Sequence, residues 1–478
     1  MIRKCLIIAA GQGSRIEGTR HNVPKPLLPL CGMTLLERNI LCAKKAGLKE
    51  FYIVVGYRGE EIKKAIDPTK LGVKITFLDN PDWEQPNGMS VLKASPYIRE
   101  PFVLLMSDHI FHPEILAELL KQPRHSSETI LAVDPRIDSI FDLDDGTKVL
   151  AQNGSIEKIN KNLKDFNGID TGIFVCSPNL FNTLEEVARE QPASLTLGMK
   201  RLAADGLLRA HLIGDRYWQD VDTPEAYRHA EKILLNSCRK ETDGVISRNF
   251  NRFISLFISR WLVRLPISAN VITVLTTFIG VSTYYFMSSG EYLAMLLGAF
   301  LFKLASVLDG VDGEMARLRM SQSKVGAWLD TISDNITYLA FLVGLFQGLW
   351  IRGYIPYYTF TVTMTVVGIL FMLTAVIVYV HRFAESGSFV DIKGAVRSPW
   401  ILQYLGPLIK RDLFSVIFLI ATLCNMPEAI LYLALAGTHT TWIILLMQKP
   451  DLFSRRRIIY QTSSGRWDRL PPRRGDVP

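Results

Sequence analysis

The sequence holds no Cys-x-x-Cys pair. Its six cysteines, Cys5, Cys31, Cys42, Cys176, Cys238 and Cys424, are scattered, and its eight histidines show no zinc-ligand spacing. A disulfide framework and a structural zinc site are therefore not expected, and the cysteines read as packing residues of a reducing compartment. Residues 1–10 form a short apolar run that ends in Gly11-Gln12-Gly13, too short for the core of a secretion signal and without a cleavage pattern. The first half is accordingly expected to stay in the cytoplasm. No arginines interleave with aromatics as a platform for single strands. The formal charge is +8, but the excess Lys and Arg gather beside apolar segments and after Lys449. That is the pattern of basic flanks on a cytoplasmic membrane face, and no nucleic-acid partner is expected.

With 478 residues the chain is too long for one ordinary core, and its two halves differ in composition. Up to about Lys232, short apolar runs alternate with helical patterns; the runs are Cys5 to Ala10, Phe51 to Val55, Ile75 to Leu78, Phe102 to Met106 and Ile130 to Val133. Such alternation predicts a Rossmann-like α/β domain with helices on both faces of an open sheet and ligands at the carboxyl ends of strands. Polar residues from Asn236 to Gly244 mark a boundary. Phe250 to Leu265 then sets Phe, Ile, Leu and Trp against Arg252, Arg260 and Arg264 at helical spacing, which suits a helix in the membrane interface or an ordinary packing helix. Beyond Pro266, about six stretches approach the length a bilayer core demands: 268–287, 291–309, 327–349, 355–380, 411–426 and 428–447, the fifth being short. The expected division is 1–235 for the α/β domain, 236–266 for a linker and interfacial helix, 267–450 for an all-α membrane domain of about six transmembrane helices, and 451–478 for a basic tail. Arg317, Arg319, Lys324, Arg382, Lys393, Arg397, Lys410 and Arg455 to Arg457 fall on one side of these spans, and only Arg352 on the other. A multi-pass protein of the cell membrane is expected, with the N-terminal domain and the tail in the cytoplasm.

The densest chemistry is Asp309-Gly310-Val311-Asp312-Gly313-Glu314-Met315-Ala316-Arg317, followed by Gly326, Asp330 and Asp334. Asp309 and Asp312 are three apart and Asp330 and Asp334 four apart, so each pair shares a helical face and four carboxylates can converge. Acids at the mouth of a bilayer each cost several kcal/mol unless cations neutralise them. Two divalent metals bridging a pyrophosphate answer that demand better than the incidental polar crevice of a channel or transporter. Gly313 and Gly326 would let a nucleotide approach the backbone. The segment resembles the signature of the CDP-alcohol phosphotransferase family, Asp-x-x-Asp-Gly-x-x-Ala-Arg and then Gly-x-x-x-Asp-x-x-x-Asp, matched at every position; the resemblance covers roughly residues 245–450. It implies that Asp309, Asp312 and Asp330 hold Mg2+, with Mn2+ as the alternative. It further implies that Asp334 faces the same metals as base for the incoming hydroxyl, that Arg317 lines the substrate, and that CMP leaves.

Near the start, Leu6 to Arg15 runs a strand into a glycine-rich loop, and Pro24-Lys25-Pro26 follows. Backbone N–H groups at Gly11 and Gly13 suit a triphosphate, and Arg15 and Lys25 can neutralise it. Glycine loops are common in α/β turns for steric reasons, and the Pro-Lys-Pro partner is what makes this one informative. The arrangement resembles the sugar-phosphate nucleotidyltransferases over residues 1 to about 232. Further matches are Asn87-Gly88-Met89-Ser90 in the base-binding region, Ser107-Asp108, Asp170-Thr171-Gly172 and Trp218-Gln219-Asp220-Val221-Asp222. The resemblance implies that Asp108 and Asp220 share a Mg2+, that Asn87, Gly88, Ser90 and Asp170 bind substrate, and that Lys161 reaches the acceptor phosphate. Asp222 is an alternative to Asp220, and either also reads as a turn residue before Thr223-Pro224. Of Lys158 and Lys161, at least one reads as a solvated surface lysine. His109 and His112 read as packing or supporting groups. The acceptor phosphate must attack an anionic triphosphate, so metal and cations must screen the repulsion and no protein nucleophile is needed.

A chain carrying both modules resembles the bifunctional enzymes that join inositol-1-phosphate cytidylyltransferase to di-myo-inositol phosphate phosphate synthase. That resemblance implies CTP, inositol 1-phosphate and CDP-inositol as small-molecule substrates. Neither inositol nor cytosine follows from spacing. Two other readings stay open on the residues: a different CDP-alcohol handed to a lipid acceptor, and a degenerate CTP-binding scaffold on an active membrane half. The retained Arg15, Lys25, Asp108 and Asp220 stand against degeneracy. Arg382, Lys393 and Arg397 are candidates for the acceptor's phosphate, although inner-face topology alone also explains them. The bilayer is an expected partner, as is a second copy paired through the membrane domain.

Overall fold

The computed structural model describes residues 2–16, 23–240, 244, 246–353, 357–383 and 411–447, with the side chains of 376–383, 411 and 444–447 excepted. The chain divides into two compact units, one up to Leu234 and one from Leu235 on.

In the first unit the apolar runs are strands. They are β1 (Lys4–Ala9), β2 (Pro29–Leu30), β3 (Met33–Thr34), β4 (Glu50–Val55), β5 (Lys74–Asp79), β6 (Phe102–Met106), β7 (His109–Phe111), β8 (Thr129–Asp134), β9 (Lys148–Gln152), β10 (Ser155–Asn160), β11 (Gly168–Cys176), β12 (Leu208–Leu212) and β13 (Trp218–Asp220). Between them stand α1 (Leu35–Lys45), α2 (Gly59–Ala65), α3 (Pro68–Leu71), α4 (Asn87–Leu92), α5 (Pro113–Leu119), α6 (Asn179–Glu190), α7 (Leu195–Ala204) and α8 (Pro224–Asn236). Nine strands form one sheet in the order β5-β4-β1-β6-β11-β8-β12-β10-β9. β1, β4 and β6 are almost continuously buried, as parallel strands covered on both faces must be. The sheet is mixed, because β11 runs antiparallel to both β6 and β8. β9 and β10 form a hairpin whose turn residues, Asn153 and Gly154, both have positive φ. Asn-Gly is the strongest short-range hairpin signal, and the sequence reading passed over it.

Strand register places the chemistry. Ile8 of β1 pairs with Met106 of β6, so the glycine-rich loop and Asp108 leave the sheet side by side at its carboxyl end. A two-stranded ribbon then pairs Asp220 with His109 and carries the distant Trp218–Asp220 segment to the same edge.

The second unit begins with a π-helical turn, Ser247–Asn251, and continues as α9 (Arg252–Leu262), α10 (Ala269–Met287), α11 (Tyr292–Leu318), α12 (Lys324–Arg352), α13 (Tyr358–Phe383), α14 (Arg411–Leu423) and α15 (Glu428–Met447). The last six of these helices occupy the six expected stretches. Among the described residues, α10, α11, α12 and Tyr358–Ala375 of α13 are long and apolar enough to cross a bilayer, whereas α14 has only 13 residues. One boundary differs from expectation: α11 does not stop at residue 309 but continues through the whole acidic motif to Leu318. Hydropathy marks where the lipid ends, while the backbone stays helical as long as its turns have neighbours to pack on. α9 is built inside out. Phe253, Phe257 and Trp261 are 75%, 62% and 56% exposed, while Arg252, Ser255 and Ser259 are buried. An apolar outer face with Arg264 over the Trp261 ring is the pattern of a helix lying in the membrane interface.

Small residues let the helices approach. A Cβ on Gly348 of α12 would lie 2.1 Å from the Met287 carbonyl oxygen of α10, whereas one on Gly437 of α15 would meet nothing within 4 Å. Gly348→Ala is therefore expected to cost about 1–3 kcal/mol through overpacking. Gly437→Ala should be neutral or slightly stabilising, because alanine is the better helix former. Thermal midpoints of the two variants in detergent check this, and equal midpoints would refute the close approach of α10 and α12.

Candidate active sites

At the carboxyl edge of the nine-stranded sheet, three cations from separate segments interleave with three carboxylates. Lys25 Nζ lies 2.6 Å from Asp108 Oδ2 and also pairs with Asp222. Arg15 bridges Asp222 and Asp145, and Lys161 reaches Asp145 from the end of β10. Gly13 is a glycine for two reasons: its φ is +67°, and a Cβ would sit 2.7 Å from the Lys25 Cβ. The buried Asn39 of α1 donates to the carbonyls of Ser107 at 3.2 Å and His109 at 3.1 Å, clamping the turn that carries Asp108.

His109 Nε2 is 3.6 Å from Asp108 and 3.8 Å from Asp220, while Nδ1 lies 2.8 Å from the Thr171 carbonyl. The ring braces two carboxylates against β11. There Gly172 has φ +71°, and a Cβ on it would strike the imidazole. His112 is a helix cap, accepting from the Glu114 N–H at the start of α5. Asp108, His109 and Asp220 bring ligand atoms within 4.8 Å of one another, and so do Asp145, Asp220 and Asp222. Both alternatives, Asp220 and Asp222, thus stand within reach of one cation. Hard oxygen donors in such groups suit Mg2+ or Mn2+.

The electrostatics differ by residue. Burial alone would push the Asp108 carboxyl up, but Lys25 and His109 overturn that and hold it well below the usual range. Asp220 is pushed up by burial, with Asp108 adding to the effect. Asp170, half-buried within β11 and accepting from the Gly172 N–H at 2.7 Å, is pushed up by desolvation to about 6.

Other predicted residues take quieter places. Gly11 is exposed, and a Cβ there would meet nothing. Asn87 Oδ1 accepts from the Leu195 N–H at 2.9 Å, and Gly88 is packed so closely on Ala193 that a Cβ would lie 2.5 Å from its carbonyl oxygen. Ser90 is buried and accepts from Asn80 at 2.9 Å. These three fix α4 in place beside the start of α7.

In the second unit, Asp309 of α11 and Asp330 and Asp334 of α12 bring carboxylate oxygens within 4.8 Å of one another. The expected convergence of four is met by these three. The fourth, Asp312, one turn further along α11, is buried and accepts from Thr273 Oγ1 of α10 and from the Gly313 N–H. Arg317 lies beside Gly313 and donates to the Cys238 carbonyl at 3.2 Å. Gly326 sits at the capped start of α12, where Ser323 Oγ accepts from its N–H. Lys393 and Arg397 lie outside the described residues, and of Arg382 only the backbone, near the end of α13, is described.

His109, read as a packing or supporting group, stands against both Asp108 and Asp220. Two residues escaped the sequence reading. Asp145 has no motif around it. Glu314 is fully buried and accepts from Arg252, Ser255 and Ser259. A polar stripe at i, i+3 and i+7 opposite the aromatic stripe of α9 was the one available sign of it.

Residues 5–193 match the family model described as a MobA-like NTP transferase domain, and residues 266–444 that of CDP-alcohol phosphatidyltransferase. The "Bifunctional IPC transferase and DIPP synthase" of Aquifex aeolicus is 35% identical over 347 residues, 72% of this chain and 77% of that protein. Its namesake from Rubrobacter xylanophilus is 35% identical over 345 residues, 72% of this chain and 76% of that one. The solved inositol-1-phosphate CTP transferase of T. maritima is 26% identical, covering 48% of this chain and 96% of its own, with a TM-score of 0.44.

The Asp170 carboxyl supplies a pH test. With its pKa raised to about 6, the folded state favours the neutral acid, so its contribution is fully present below about pH 4 and is lost as pH rises through 6. Asp170→Asn removes that loss. The variant should gain on the parent by up to about 3 kcal/mol between pH 4 and 7. Thermal unfolding of the sheet unit across that range is the measurement, and a pH-independent difference would refute the shifted carboxyl.

Proposed function

We infer the function from one premise: the chain belongs to the family of bifunctional IPC transferase and DIPP synthase proteins. It is an enzyme with nucleotidyltransferase and CDP-alcohol phosphotransferase activities. We propose that the first module joins CTP and inositol 1-phosphate into CDP-inositol, releasing pyrophosphate. The second then transfers the inositol phosphate group to another inositol 1-phosphate, giving phosphorylated di-myo-inositol phosphate and CMP. What carries this reading is that relatives of that name align over 72% of the chain, further than either module alone extends.

In the first reaction a phosphate oxygen of inositol 1-phosphate attacks the α-phosphorus of CTP, and the bond to pyrophosphate breaks. Arg15 and Lys25 turn from their carboxylate partners toward the triphosphate, Lys161 toward the acceptor phosphate, and Gly11 and Gly13 offer backbone N–H groups. Asn87, Gly88 and Ser90 shape the wall on which the base rests, and Asp170 faces the acceptor. In the second reaction a hydroxyl of the acceptor attacks the inositol-linked phosphorus of CDP-inositol, and CMP departs with the electrons of the broken P–O bond. Asp334 takes the hydroxyl proton. Gly313 and Gly326 admit the nucleotide to the backbone, Arg317 faces its phosphates, and Arg382, Lys393 and Arg397 hold the acceptor phosphate. Asp108 and Asp220, with Asp222 in reach, would hold Mg2+ in the first site, and Asp309, Asp330 and Asp334, with Asp312 one turn on, in the second; such an ion offsets phosphate charge.

The same reading assigns residues 1–235 to the cytidylyltransferase domain, 236–266 to the linker and interfacial helix, 267–450 to the membrane domain and 451–478 to the tail. It places the N-terminal domain and the tail in the cytoplasm, and two chains pair through their membrane helices.

Purified protein supplied with CTP, Mg2+ and inositol 1-phosphate should release pyrophosphate and CMP and form the phosphorylated di-inositol product. Asp108→Asn should stop pyrophosphate release while supplied CDP-inositol is still consumed. Asp334→Asn should do the reverse: condensation falls about 10²–10⁴-fold and CDP-inositol accumulates. Product formation by Asp334→Asn at a near-normal rate would remove the base assignment. Loss of pyrophosphate release in the same variant would remove the claim of two independent sites.

A further inference from the structure

Glu314 lies in the last turns of α11, wholly buried, and accepts from three side chains of one helix: Arg252 Nη1 at 2.5 Å, Ser259 Oγ at 2.6 Å and Ser255 Oγ at 2.7 Å. Eleven residues earlier, on the same face of α11, the buried Lys303 donates to Asn251 Oδ1 at 2.8 Å. The segment that leads into α9 is therefore fastened at two points about 16 Å apart along α11. On another side, Asp312 accepts from Thr273 of α10, and Val311 and Met315 pack against Ile272. α11 cannot turn about its axis without breaking one set or the other. The carboxylate this rotation aims is Asp309, five residues before Glu314. α11 and α12 touch each other only slightly, both packing mainly on α10, so their mutual contact does not set the meeting of Asp309 with Asp330 and Asp334. Gly310 completes the arrangement, since a Cβ there would meet Arg252 Nη1 at 3.1 Å.

We propose that Glu314, which occupies no fixed position of the family signature, is a positioning residue of the phosphotransferase centre. By gathering Arg252, Ser255 and Ser259 it sets the rotation of α11 and so aims Asp309 at Asp330 and Asp334. The inference rests on the phosphotransferase reading above.

The test uses the full chain in lipid nanodiscs. Mn2+ binding is followed by loss of the free-ion EPR signal, with Asp330→Asn protein as the reference that isolates the membrane component. In Glu314→Gln the Mn2+ concentration that half-saturates this component should rise about tenfold, the scale on which partners behind metal ligands act. The Mg2+ needed for half-maximal CMP release should rise in parallel, and that for pyrophosphate release should not move. Arg252→Lys, which keeps a cation, should shift less than Arg252→Gln. Unchanged Mn2+ binding in Glu314→Gln overturns the inference. If that variant fails to fold, equal Mn2+ affinity in the parent and both Arg252 variants overturns it instead. A parent chain that binds Mn2+ in this component yet releases no CMP from CDP-inositol would sink the phosphotransferase reading, a failure separate from that of Glu314.

Discussion

An ionised carboxylate taken out of water costs several kcal/mol unless a cation or several donors replace the solvent it leaves, and this chain gathers such groups at one place in each of its units. In the first, Asp108, Asp145 and Asp222 would repel one another were they not interleaved with Arg15, Lys25 and Lys161. Much of the local architecture follows from keeping that lattice in register. Gly13 exists to let Lys25 close in, Asn39 to clamp the turn of Asp108, and the ribbon of β7 and β13 to deliver Asp220.

The second unit treats its acids in two ways, and the contrast separates structure from chemistry. Glu314 and Asp312 are satisfied by the chain itself, one by the polar stripe of α9 and the other by Thr273. Asp309, Asp330 and Asp334 meet one another as well, with oxygens within 4.8 Å. Three carboxylates brought so close are a set of hard oxygen donors that would suit a divalent ion. The first pair tie α11 to its neighbours; the second group is where, on the proposed reading, an ion would sit.

Most of this was legible where the signal is local. Buried strands announce themselves as apolar runs, so β1, β4, β5, β6 and β8 were found, and a glycine loop followed by Pro-Lys-Pro or an acid every third or fourth residue can be read without a structure. Signals that depend on a distant partner could not be read. Asp145 matters because Arg15, 130 residues away, reaches it, and Glu314 because Arg252, 62 residues away, does. Nor does hydropathy locate a helix end: α11 runs nine residues beyond the apolar stretch that predicted it, to Leu318, because neighbours on α9 and α10 support those turns. Asn87 and Ser90 stand in a motif read as base-binding, and the bonds of their side chains to Leu195 and Asn80 could not be read from it. A motif fixes where residues stand more firmly than what their atoms touch.

The two reactions of the proposed pathway meet one electrostatic problem in two solvents. In each, an anionic nucleophile or its phosphate must approach an anionic donor, and fixed positive charge lowers the barrier. The proposed donor and acceptor of the second step are water-soluble, so solubility gives no reason to run it among membrane helices. Competition does. The donor's pyrophosphate bond is open to attack by water as well as by a sugar hydroxyl, and carboxylates held half-buried among packed helices would limit the water that reaches it. Asp309, Asp330 and Asp334 are half-buried, and Asp312 and Glu314 of α11 are buried. On the proposed reading, transfer over hydrolysis would follow from the same packing that makes these carboxylates costly, and α9, polar face inward and aromatic face outward, contributes to that packing through its bonds to Glu314.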